Sequence, residues 1–392
     1  MKVAIVHYWL VSMRGGENVV EALCDMFPEA DVFAHVYDPA EISESIKRHR
    51  VRTTFIHRLP GAVRHYKRYL ALMPLALEQL DLREYDLVIS VESGPAKGVI
   101  VAPGALHLCY CLSPMRYLWD MYPDYLAGAG RITRLVMRPV MHYLRMWDYT
   151  SAGRVSAFGA ISGFVAQRVK TYYGREAQVI FPPVNTGAFA PDPKPEDFYL
   201  MVGQLVRYKR FDLAIDAFNR LGRKLVIIGG GEQQAALKRM AGPTVKILGR
   251  QTFDVIREHY SRCRALVFPG VEDFGIVPVE AMASGRPVIA FRKGGVLDTV
   301  IEGKTGLFFD EQTPESLIDA VRRFEAAEHS FRPDDMIRHA RQFDISAFKD
   351  RMGEFIQEHL DENDRGASGA HTDTASHAGP RPLRLRSGQL PH

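Results

Sequence analysis

Cysteine is scarce. The four residues, Cys24, Cys109, Cys111 and Cys263, form no disulfide framework and show no paired CxxC spacing of a zinc site. A reducing compartment is therefore expected. No run of 18 or more apolar residues could cross a bilayer as a helix. The opening MKVAIVHYWL reads as a strand, without the architecture of a secretory leader. Asp-x-Asp is absent, so a metal-held nucleotide of that kind lacks ligands, and the histidines show no paired metal spacing. No repeat of solenoid period is visible. Charge of one sign is also lacking: 50 Lys and Arg face 46 Asp and Glu, a net +4, and no RNA-recognition motif appears. Gly303-Lys304-Thr305 looks like the end of a phosphate-binding Walker loop, but Asp298 stands where the first glycine belongs, which excludes that site.

What the 392 residues contain is an alternation of apolar strands and amphipathic helices, with 46% hydrophobic residues. The length fits two domains of about 150–180 residues. In the first half, strands are expected at 2–9, 86–90, 99–102, 107–111, 155–161 and 178–181. In the second they are expected at 198–202, 224–228, 245–248, 265–268 and 288–291, with helices from 212, to 240, at 252–260, 276–283, 314–328 and 346–360. This alternation predicts α/β domains with doubly wound parallel sheets facing a cleft. The proline-bearing stretch 186–197 is the expected linker between an amino-terminal domain, 1–185, and a carboxy-terminal domain, 198–345. A closing helix, 346–360, precedes a tail, 361–392, whose Gly, Ser, Ala and Pro content predicts disorder.

Residues 263–290, CRALVFPGVEDFGIVPVEAMASGRPVIA, concentrate the chemistry. A buried-type strand runs into a turn with Glu272, Asp273, Phe274 and Gly275, and a helix then carries Glu280. Open α/β sheets bind ligands at this end of their strands. The free N–H groups at 274–277 suit a phosphate. Two further strand ends repeat the pattern. Gly203 is followed by Arg207, Lys209 and Arg210, cations suited to a diphosphate. Gly229-Gly230-Gly231 permits close backbone approach. In the first half, Arg14-Gly15-Gly16-Glu17 follows the first strand, a weaker signal open to a purely structural reading.

Between Ser45 and Leu77 there is no acidic residue, while eight Lys and Arg accumulate among aromatics. A second basic run, Arg131, Arg134, Arg138 and Arg145, follows. These segments suit an anionic membrane surface or a phosphorylated acceptor, with a solvated helix face as the alternative. The loop SPMRYLWD at 113–120, with Arg116 and Tyr117, is a candidate wall for the acceptor or a lid on the sheet.

Taken together, EDFGIVPVEAMASGRPVIA with Glu272 and Glu280 eight positions apart, the RGGE loop, YCLSPMRYLWD, YYGREAQVIFPPVN and VGQLVRYKRFDLAIDAF resemble the retaining GT-B glycosyltransferases of family 4, over nearly the whole chain to about residue 360. The likeness is to bacterial mannosyltransferase-like enzymes that build polysaccharide on lipid carriers. It implies two Rossmann-like domains and a nucleoside diphosphate sugar as donor, with GDP-mannose the first candidate. It implies a lipid-linked or saccharide acceptor, and neither a metal nor another cofactor. Lys209 and Arg207 would hold the diphosphate, with Gly203 beside them; Glu280 the ribose; Glu272 and the backbone of Phe274, Gly275 and Ile276 the sugar. Gly15 and Gly16 would approach from the other domain, and Arg250 would face the nucleobase. Glu272 and Lys209 carry the catalytic assignment; Arg116 and Tyr117 lie on the acceptor side. A cytoplasmic protein, peripheral at the inner face of the plasma membrane, is the corresponding expectation, with no nucleic-acid partner. Two positions depart from the family pattern: Gln204 replaces an arginine, and Leu112 replaces a histidine. A nucleotide-sugar epimerase on the same fold and a non-catalytic binding subunit are the alternatives.

Overall fold

The computed structural model describes residues 1–123, 126, 130–192 and 194–373, leaving aside the side chains of 131, 132 and 366–373. Pro193 of the linker and the tail from 374 lie outside the described residues, as does the side chain of Arg131.

Two all-parallel sheets make up the molecule. The first has seven strands in the order β3-β2-β1-β4-β5-β6-β7. They are β1 (Val3–His7), β2 (Asp31–Ala34), β3 (Val51–Thr53), β4 (Leu87–Glu92), β5 (Leu106–Cys111), β6 (Ala157–Ala160) and β7 (Ala177–Val179). The second has six, in the order β10-β9-β8-β11-β12-β13. These are β8 (Tyr199–Val202), β9 (Leu225–Ile228), β10 (Val245–Gly249), β11 (Leu266–Phe268), β12 (Val288–Phe291) and β13 (Gly306–Phe309). β1, β4 and β5 are buried throughout, as strands covered on both faces must be. In each sheet the strand order reverses beside the first strand, between β1 and β4 and between β8 and β11. Such switch points open a crevice at the carboxyl ends of the strands. Here the two crevices face each other.

Three expectations need correction. Residues 99–102 are not a strand. Val99 fills the core beneath Trp147, Gly98 lies so close to that indole that a Cβ would sit 1.9 Å from it, and Ala105 N–H closes a turn on Ala102 O. Strands β2 and β3 escaped the sequence reading because they are only four and three residues long, and β3 lies inside the basic segment. The closing helix runs Ile345–Asp373, so residues 361–373 are helical rather than disordered. Contacts with the first domain support it: Asn363 Nδ2 donates to Gly104 O at 3.0 Å.

That helix returns the chain to the first domain, where Phe348 packs edge-on against Tyr110 and Lys349 pairs with Asp25. The chain thus crosses twice, and the crossings are tied together. Val184 N–H donates to Phe343 O, and Thr186 Oγ1 donates to Asp344 Oδ2 at 2.5 Å. The linker contains one 3-10 turn, Thr186–Ala188, and is fastened to the second domain by Arg286, which donates to Asp192 O.

Candidate active site

Loops at the carboxyl ends of both sheets enclose two adjoining spaces. The first, about 440 Å³, is walled by Gly15, Gly16, Tyr8 and Leu112 from one domain and by Lys209 and the turn Glu272–Ile276 from the other. The second, about 590 Å³, lies against Gly203, Gly229, Gly230, Arg250 and Arg14. Lys209 lines both.

Local sequence explains how the walls form. Gly229 sits so close to Gly203 that a Cβ would lie 1.8 Å from the Gly203 carbonyl, so only glycine fits where β8 and β9 end. After β8 the chain makes the 3-10 turn Arg207–Lys209, then passes through Arg210, the one described non-glycine residue with positive φ (54°), into the helix Phe211–Leu221. That left-handed residue costs on the order of 1 kcal/mol. After β11, Gly275 at φ 96° caps the helix Ile276–Ala283, leaving its first N–H groups without helical partners.

Lys209 Nζ pairs with Glu272 Oε1 at 2.9 Å, with both side chains about four-fifths covered (15% and 21% exposed). Burial alone would lower the lysine pKa, but the neighbouring Glu272 carboxylate outweighs it and the pKa is raised, so the ammonium is charged. Glu280 accepts a hydrogen bond from Tyr260 at 2.8 Å; burial pushes its carboxyl above the usual range, with Tyr260 and Lys209 opposing. Glu280 lines neither space.

Two arginines of the first domain reach across the cleft. Arg116 Nη2 and Arg168 Nη1 each donate to Asp273 Oδ1 at 2.8 Å. Ser162 Oγ donates to the Asp273 carbonyl, and Gly163 N–H donates to Asp298 Oδ2 at 2.8 Å. The sequence marks Asp273 only as a member of its turn, and Arg168 and Ser162 not at all, because nothing local distinguishes residues that meet only when two domains face each other.

Residues 188–343 match the family described as Glycosyl transferases group 1. The second domain is a group 1 glycosyl transferase domain. An uncharacterized glycosyltransferase of Methanocaldococcus jannaschii is 34% identical over 130 residues, covering 32% of this chain and 37% of that protein. A GDP-mannose-dependent alpha-(1-6)-phosphatidylinositol monomannoside mannosyltransferase of Mycolicibacterium smegmatis is 30% identical over 193 residues, 41% of this chain and 50% of that protein. The chain thus spans between about a third and a half of the length of these curated relatives. In fold, the chain resembles a sucrose-phosphate synthase of Thermosynechococcus elongatus (TM-score 0.65, 18% identity, 92% of this chain and 100% of the other). It also resembles HepE of Anabaena solved with UDP-glucose (TM-score 0.65, 17% identity, 91% and 100%). The architecture is GT-B: two Rossmann-like domains facing a cleft.

Within the glycosyl transferase domain, the structure gathers Lys209, Glu272, Phe274, Gly275 and Ile276 at the first space and Gly203, Lys209 and Arg250 at the second, with Gly15 and Gly16 opposite. Besides Glu280, two expected residues line neither space. Arg207 is exposed and lines neither space, because the 3-10 turn directs it outward while Lys209 turns in. Tyr117 packs on the core of the first domain, its hydroxyl donating to Met115 Sδ, and lines neither space. Arg116 does line the cleft, but its guanidinium is engaged by Asp273. Leu112 is nearly buried and contacts Gly16, giving the floor an apolar patch. Among the described residues no three His, Cys, Asp or Glu side chains gather as a metal site would require.

Proposed function

We propose that the chain is a retaining glycosyltransferase of family 4. On this reading it moves a hexose, mannose first, from a nucleoside diphosphate sugar such as GDP-mannose to a lipid-linked or saccharide acceptor in polysaccharide assembly, without a metal. The observation that carries this reading is the Lys209–Glu272 pair at the start of the helix Ile276–Ala283, between two domains. As the sugar leaves, negative charge grows on the diphosphate. A charged lysine and a row of unpaired helix N–H groups, already oriented, stabilise it at no reorganisation cost. Glu272, released by Lys209 when phosphate arrives, is free to take sugar hydroxyls. The second space, with Arg250 and the glycine turn, is where the nucleoside goes, and the first takes the sugar and the acceptor hydroxyl.

The acceptor reading rests on the surface of the first domain. The helix Arg131–Ala152 exposes Leu135 (73%), Val136, Tyr143, Met146 (58%) and Tyr149. Its one carboxylate, Asp148, is buried on Lys97. An apolar face with Arg134, Arg138 and Arg145 and no exposed acid suits an interfacial helix on anionic lipid. The described helices include none long and apolar enough to cross a membrane. A lipid-linked acceptor presented at the inner membrane face fits both.

A thermal-shift series over GDP-mannose, UDP-glucose and other nucleotide sugars tests donor choice, since a ligand at a hundred times its Kd adds about 2.7 kcal/mol of stability. Transfer of radiolabelled sugar to a membrane lipid extract, in the presence of EDTA, then tests the reaction. Isomerised donor without acceptor would favour an epimerase. Binding without turnover would favour the non-catalytic reading, to which Leu112 lends support.

A further inference from the structure

The turn that carries Glu272 is built by the second domain but fastened by the first. Asp273 Oδ1 accepts from Arg116 and from Arg168, each at 2.8 Å, and the Asp273 carbonyl accepts from Ser162 Oγ at 2.5 Å. Arg168, largely buried, does more than grip Asp273. Its Nη1 also donates to Ser113 Oγ at 2.7 Å, and its Nη2 to Asp120 Oδ1 at 2.6 Å and Pro114 O at 3.3 Å. One guanidinium therefore holds the loop 113–120 of the first domain and the sugar-side turn of the second. Charge balances within the cluster: Arg116 and Arg168 face Asp273 and Asp120. Behind the turn, Gly295 N–H donates to Glu272 O at 2.9 Å.

We infer that Asp273, through Arg168 and Arg116, is a positioning residue that sets Glu272 only when the two domains are closed on each other, so that turnover is tied to the presence of the acceptor wall. The inference rests on the transferase reading for the role of Glu272. The pinning itself does not. Asp273 touches no reacting atom in this scheme; it fixes the backbone one residue from the group that does. Displacement of such a group by about 1 Å lowers rates on the order of 100-fold. Removing the Asp273 charge also leaves two guanidinium groups facing one carboxylate, which favours an anionic ligand. Donor affinity should therefore be kept while turnover falls, a split that loss of a donor-binding or folding residue would not produce.

The test uses the full chain with Asp273→Asn and Arg168→Lys, which keeps the charge but loses the planar fork. Hydrogen exchange of the unliganded protein should show amides 271–277 and 113–120 exchanging about tenfold faster in both variants, with the core strands unchanged. Hydrolysis of GDP-mannose and UDP-glucose by water should fall in kcat on the order of 10–100-fold. GDP and UDP affinities by calorimetry should stay within about threefold of the parent, on the side of tighter binding for Asp273→Asn. Unchanged exchange in those two segments overturns the inference, as does faster exchange across the core strands of both domains. An unaltered kcat, or affinity lost in step with kcat, overturns it too. If the parent protein turns over no donor, the transferase reading fails, and hydrogen exchange still decides whether the first domain pins the turn.

Discussion

Lys209 carries the largest expected effect of any single side chain. Lys209→Ala removes a charge-assisted contact, in the range of about 1.5–3 kcal/mol, so nucleoside diphosphate should bind roughly 10–100-fold more weakly by calorimetry. Glu272→Gln should leave that affinity nearly unchanged and lower turnover, because the carboxylate is assigned to the sugar rather than to the phosphate. Glu280 needs a gentler substitution. Alanine would strand the buried Tyr260 hydroxyl at a cost of about 1–3 kcal/mol, so Glu280→Gln, which can still accept from Tyr260, separates a ligand effect from a folding one. Equal donor affinity in Lys209→Ala and the parent would remove the basis for the site assignment. The lysine was legible from sequence as a cation after a strand-end glycine. Its partner was not, because Glu272 lies 63 residues on, and only the adjacency of β8 and β11 brings the two loops together.

At the scale of elements, two segments are open to test. The helix Arg131–Ala152 presents its apolar and basic face to solvent, so Leu135→Ser with Met146→Ser should change stability by no more than about 0.5 kcal/mol. The same pair should sharply reduce sedimentation with anionic vesicles. Arg138→Glu should do likewise, and added salt should mimic it, since each basic side chain near such a surface is worth about 1 kcal/mol. Equal vesicle binding by the parent and both variants would argue for a plain solvated face. The second segment is the turn after β12. A Cβ on Gly295 would lie 2.3 Å from the Asp273 carbonyl, so Gly295→Ala must displace the 272–274 turn. Donor turnover is expected to drop while far-UV circular dichroism stays as in the parent. The glycine pair at 294 and 295 is plain in the sequence. What it makes room for became visible only with the fold.

For the whole molecule, buried histidines tie stability to pH. Burial holds His107 down at about 4 and His35 at about 3, below the ordinary 6.5. An unfolded chain therefore binds more protons below pH 6.5 than the native one. The contribution of His107 to stability is complete above about 6.5 and is lost as pH falls toward 4, on the order of 3 kcal/mol. Glu92 and Glu280, raised by burial, act in the opposite sense as pH falls. Comparing the parent with His107→Gln cancels those terms: urea midpoints at pH 7.5, 6 and 5 should fall more steeply in the parent. Parallel profiles would show that the ring is protonated without cost.

The sequence alone determined the class of each half, because strand and helix periodicities are local and parallel, doubly covered sheets need continuous apolar strands. It also marked Gly203, Lys209, Gly229, Gly230, Glu272 and Gly275, which the fold gathers around two adjoining spaces, because each follows its strand within a few residues. Tertiary structure decided what depends on distant neighbours. Strands as short as β3 are held by their sheet partners, and the closing helix folds back onto the first domain beyond its compositional limit. Arg207 points out while Lys209 points in, because a single 3-10 turn separates them. Arg116, read as an acceptor residue, is held by an aspartate 157 positions later across the cleft. A loop opened by two carboxylates was legible; that two arginines hold it from the facing domain was not, because no period or motif links residues that meet only by domain packing.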